Sequence, residues 1–235
     1  CTDTEAVSNG TSTGEINISE STVVNGKVAT MVAVIRYADG TSYSFTNLTD
    51  AIAKAEAGET VTMIRDVEMS EILTVNKAIT LDGNGKTLTS TAGRAINVET
   101  EGKVAISNLT INAAERAINI INKPATVVLN SVNATANNNA VMIATSAGAA
   151  KVTIDGCDFT GLAVVNVAGA KSNVAIKNSK ITNVDASDAE NYGAISVFKT
   201  ATNSTVVVNG GKIVVAGDSM AATIGAEGAT VTFNG

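Results

Sequence analysis

VAISNLTI at 104–111 returns as VTIDGCDF at 152–159 and VAIKNSKI at 174–181. Each copy is a short alternating apolar strand, one residue suited to a tight corner, and a second short strand. Related blocks recur about every 22 to 25 residues, and a repeat of that length is the signature of a solenoid. The expected inward anchors are Leu81, Ile106, Leu129, Ile154, Ile176, Val208 and Phe233, at intervals of 25, 23, 25, 22, 32 and 25 residues.

A second series keeps step with the first. In RAINV, RAINII, AVMIA, AVVNV, AISVF and AATIG the matching residues are Val98, Ile120, Ile143, Val167, Val197 and Ile224. Each repeat therefore carries three short strands with period-two alternation. The corner between the second and third falls on Gly83, Asn108, Ser131, Gly156, Asn178 or Gly210, most of which tolerate a left-handed backbone. About eight such coils, stacked at the ordinary strand spacing, predict a rod roughly 35–40 Å long.

This pattern resembles the right-handed parallel β-helix of the pectin-lyase-like superfamily over roughly residues 45–235. The stretch NLTDAIAKAEAGETVTMIRDVEMSEILTVNKAITLDGNGKTL, from Asn47, is similar to the opening of β-helical domains in bacterial surface and secreted proteins. The resemblance implies an all-β solenoid. It implies no single activity, because the fold carries lyases, hydrolases, adhesins and fibre tips.

Composition fits one elongated domain. The 235 residues are 45% hydrophobic but only 3% aromatic, so Val, Ile, Leu and Ala must fill a thin core. The single proline, Pro124, falls between strands, where it removes no ladder hydrogen bond. A net charge of −6 without a Lys/Arg run argues against nucleic-acid partners and anionic membrane surfaces. The longest apolar run, VATMVAVI at 28–35, is too short to span a bilayer.

The expected organisation is a polar tether at 1–22, a hairpin and capping helix at 23–58, and the β-helix at 59–235. The hairpin turns at Ala38-Asp39-Gly40. Thr49 is the expected N-cap of a helix that packs Leu48, Ile52 and Ala55 on the first coil, with Gly58 as its stop. The C-terminal coil, ending VTFNG, has no matching cover: either the natural chain continues or this edge docks, self-association included. Cys1 before a polar tether resembles a mature bacterial lipoprotein, which implies a lipid on that cysteine and an extracytoplasmic location, with a membrane reached only through the anchor. Cys157 reads as a small buried hydrophobe.

The chain has no histidine, which excludes Ser-His-Asp triads, Cys-His dyads and histidine metal sites. In the superfamily, lyase chemistry sits on the outward side of the first strand. The equivalent row here is Asn97, Asn119, Met142, Asn166, Ser196 and Thr223, without carboxylate or cation. Asp155 and Asp158 are the nearest carboxylate pair, but Gly156 should turn them apart, with Lys177 and Lys180 beside them. Arg94 and Arg116 occupy equivalent places one coil apart; they either grip an anionic sugar or stack with Glu115 as a partner. DGNG at 82–85 is either a plain turn or one imperfect copy resembling a calcium-binding glycine-rich repeat, and Asp185, Asp188 and Glu190 in the loop 182–193 either bind calcium or lie in a solvated loop.

That loop is the one long insertion, and insertions on a solenoid face often bind. Tyr192 ends it and Phe198 projects from the next strand near Asn166, an arrangement suited to sugar stacking. The flat second-strand row Thr80, Ala105, Val128, Thr153, Ala175, Val207 and Thr232 suits lateral packing on a partner. The sequence thus reads as a non-enzymatic surface rod needing no cofactor, with a structural or adhesive role and able to stack end to end; the alternative is a carbohydrate-binding β-helix using Asn166, Tyr192 and Phe198, or a polysaccharide-degrading one.

Overall fold

The computed structural model describes residues 21–24, 27–184 and 192–235. Cys1, the tether through residue 20 and the loop residues Asp185, Asp188 and Glu190 lie outside the described residues. The rest is nearly all β: a parallel solenoid of stacked coils, with one short helix near its N-terminal end.

The first strands of successive coils, from Leu73–Val75 through Arg94–Val98, Arg116–Ile120, Asn139–Ile143, Val165–Val167 and Ile195–Val197 to Ala222–Ile224, form a seven-stranded sheet. Seven turns, rather than eight, complete all three strands. The second strands form the spine of a larger sheet, ending at Thr230–Asn234. In three coils the second and third strands run on as single 11-residue strands, such as Lys103–Ala113.

Both apolar series point inward. Leu81, Ile106, Leu129, Ile154 and Ile176 are fully buried, as are Val98, Ile120, Ile143 and Val167, and all belong to one continuous core. Only the last coil departs: Phe233 is 50% and Ile224 49% exposed. The largest fully buried side chain, Phe159, fills the core beside Ala134 and Ile181, its register partners.

The corners fall where the repeat places them, with one correction. Asn108, Ser131 and Asn178 have φ of 50°, 54° and 48°, and Gly156 and Gly210 have 61° and 69°. In the coil of Thr80–Ser90 the left-handed residues are instead Asn84 and Gly85, and the ladder slips register there. Gly83 is still needed, because a Cβ on it would stand 2.5 Å from the Asn108 carbonyl oxygen. The bulge moves the turn; the glycine is kept for close approach of the next coil.

The N-terminal end is covered by two devices. Ala33–Arg36 and Ser42–Phe45 form the expected hairpin, and its inner strand pairs antiparallel with Thr60–Met63, extending the large sheet. A second hairpin, Ser21–Val24 with Lys27–Thr30, precedes it as a separate two-stranded sheet. The helix Leu48–Lys54 packs on Leu73–Val75 and buries Leu48, Ala51 and Ile52. Its N-cap is Asn47, not Thr49: Asn47 Oδ1 accepts from the Asp50 N–H at 2.8 Å, and Asn47 Nδ2 donates to the Asp50 carboxylate. Gly58 does not stop the helix; Ala55 is its C-cap, and Gly58 serves the turn beyond, donating to Ala78 O.

Candidate functional site

The first-strand row stacks in register as expected, from Asn97 through Asn119, Met142, Asn166 and Ser196 to Thr223. It does not face open solvent. Asn97, Asn119, Asn166 and Ser196 are all less than 10% exposed. Asn119 Nδ2 donates to Asn97 Oδ1 at 3.0 Å, one rung of an amide ladder whose members shield one another. Met142 interrupts it, and the buried Oδ1 atoms of Asn119 and Asn166 have no partner.

The expected glycan patch is therefore only partly presented. Phe198 is 38% exposed, with Lys199 Nζ 6.0 Å above its ring. Tyr192 is half-buried, and its carbonyl accepts from Ser219 Oγ. The two aromatics flank opposite ends of Ile195–Val197, and Asn166 meets Ser196 rather than either ring. A different aromatic pair stands together at the N-terminal cap: Tyr37 and Tyr43 pack edge to face at 5.8 Å, with Lys54 Nζ 5.4 Å from the Tyr43 ring. The signal for it was YADGTSY, where the hairpin turn sets the two tyrosines diagonally across the strands, Tyr43 lying opposite Ile35 and Tyr37 opposite Thr41. In that turn the Thr41 hydroxyl and N–H donate to Asp39 and hold its carboxyl below the usual range.

The carboxylate pair is divided as expected. Asp158 is in register with Lys180 and forms an ion pair at 3.2 Å. Asp155 is in register with Lys177 but accepts instead from Asn178 Nδ2 at 3.1 Å. The same corner ladder joins Asn108 to Asp82 and Asn234 to Asn209, and Asp82 also accepts from the Asn84 N–H, so DGNG is a hydrogen-bonded turn. Among the described residues no three His, Cys, Asp or Glu side chains gather as a metal site. Cys157 is 3% exposed, and burial pushes its thiol up from the usual range.

Depressions mark the surface of the described residues at two places of interest. One, about 270 Å³, lies over the third strands between Thr110, Asn133, Thr135, Asp158, Thr160 and Lys180. The other, about 330 Å³, lies at the last coil, where Val208, Ile213, Ala221 and Phe233 leave apolar surface open. Among the described residues no helix is long and apolar enough to cross a membrane.

This geometry defines the class: a parallel β-solenoid, helix-covered at its N-terminal end. The chain matches no protein-family model, no curated protein and no solved structure.

Proposed function

We propose that this protein is a non-enzymatic rod of the pectin-lyase-like kind, bacterial, extracytoplasmic and lipid-anchored at Cys1, with a structural or adhesive role. The observation that carries this reading is the in-register, uncharged second-strand row from Thr80 to Thr232, which runs through seven successive strands of the large sheet. Such a face packs laterally on a partner or presents the rod to a surface. Self-association through the C-terminal coil edge is part of this proposal, supported by exposed Phe233 and Ile224 beside the apolar depression. Electron microscopy and light scattering of the native full-length protein test it: filaments or oligomers support it, and monomers at all concentrations remove it. Mass spectrometry of the native N-terminus tests the lipid on Cys1.

The second reading is glycan binding by the Asn166, Tyr192 and Phe198 patch, favoured by the outward Phe198 ring under Lys199. A glycan array with wild type and Phe198→Ala decides it. Binding lost in the variant supports the patch; binding unchanged, or none in wild type, ends it.

A further inference from the structure

Arg94 and Arg116 stand one above the other at the start of the first-strand sheet. They are in-register partners on adjacent parallel strands, so their backbones are about 4.8 Å apart. Both side chains are half-buried. Like charges directly opposite on neighbouring strands repel, and such pairs need a counter-charge.

Among the described residues neither arginine forms an ion pair. Glu115 forms no ion pair with either arginine; its carboxylate turns over Gly93, where a Cβ would stand 3.2 Å from Oε2. Asn139, the partner of Arg116 on the following strand, donates Nδ2 to Ala163 O at 2.6 Å and leaves the guanidinium alone. Arg116 Nε is shielded from solvent with no hydrogen-bond partner. A buried donor on a charged group is costly to leave unpaired, so the Arg116 guanidinium is not satisfied by the fold itself.

We propose that Arg94 and Arg116 bind a tetrahedral oxyanion, phosphate or sulfate, either free or as a sugar ester. Two fixed positive charges call for a ligand of charge near −2. A single carboxylate carries one charge and two oxygens, which one guanidinium fork consumes; a tetrahedral dianion has acceptors for both forks. The site is local, because the protein as a whole is acidic at −6.

The test is a thermal-shift and calorimetric titration of the full chain with sodium phosphate and sodium sulfate, against sodium chloride at equal ionic strength. Phosphate or sulfate should raise the midpoint saturably above chloride. Arg116→Gln and Arg94→Gln should each weaken the apparent affinity at least tenfold. In chloride alone Arg94→Gln should keep or raise the wild-type midpoint, since it removes the repulsion, and this reports that the variant folds. Arg94→Lys, which keeps the charge and loses the fork, should fall between wild type and Arg94→Gln. Glucose 6-phosphate and glucose 6-sulfate separate the sources: tighter binding than the free ions assigns the ester, and equal or weaker binding assigns the ion. The proposal is overturned if phosphate and sulfate act no differently from chloride, if both glutamine variants bind as wild type, or if galacturonate binds more tightly than either tetrahedral anion.

Discussion

Single residues decide how closely one coil sits on the next. A Cβ on Gly83 would meet the Asn108 carbonyl oxygen at 2.5 Å and the Leu109 backbone at 2.6 Å, so Gly83→Ala must push the coils apart; a loss of about 1–3 kcal/mol is expected in urea unfolding. Met142 has the opposite character. It breaks the amide ladder and leaves Asn119 Oδ1 buried and unpaired, so Met142→Asn should give that oxygen a donor and stabilise by about 0.5–1.5 kcal/mol, with Met142→Leu as the control that gains nothing. Cys157 carries a pH dependence. Its folded pKa is raised, so its contribution to stability is fully present below the unfolded value near 8.5 and is lost as pH rises through the folded value. Melting midpoints should therefore fall above about pH 8.5, and Cys157→Ala should flatten that part of the profile. Equal slopes in the two proteins would refute the assignment.

At the scale of elements, the capping helix shows how little local propensity matters here. A seven-residue helix is not stable alone, so its existence rests on Leu48, Ala51 and Ile52 packing over Leu73–Val75. Its register is then set by Asn47, whose amide both accepts from and donates to Asp50. Asn47→Ala should cost about 1 kcal/mol and increase amide exchange at Leu73–Val75 above all other first strands of the interior coils. Unchanged exchange there would show that the helix is not what protects that edge. Thr49 offered the same chemistry two residues later. Asn47 takes the role because the hairpin strand Ser42–Phe45 delivers the chain to the helix at that point.

At the scale of the whole molecule, a solenoid is held by neighbour-to-neighbour contacts, so stability varies along the rod. Core residues of the central coils are sealed from both sides, whereas Ile224 and Phe233 in the last coil stay about half exposed. Hydrogen exchange of the full chain should be slowest through Thr126–Ala136 and fastest at Ala222–Ile224 and Thr230–Asn234. Binding of a second copy at that edge, as proposed, would erase the difference in a concentration-dependent way. Uniform protection in a monomeric sample would contradict the nearest-neighbour picture.

The amino-acid sequence by itself determined the repeat, the two inward series and nearly every corner, because a solenoid writes the same local choice into each coil: alternation for the strand, Asn, Ser or Gly for the left-handed turn. It also divided Asp155 from Asp158. What it left open depends on contacts between coils. Burial of Asn97, Asn119, Asn166 and Ser196 comes from side chains lying on one another at one strand spacing, which period-two alternation cannot distinguish from exposure. The shift of one corner to Asn84 and Gly85 comes from a bulge against the next coil. Whether Glu115 pairs with the stacked arginines was equally undecidable along the chain. Only the tertiary structure turned its carboxylate over Gly93 and left Arg94 and Arg116 without an ion pair.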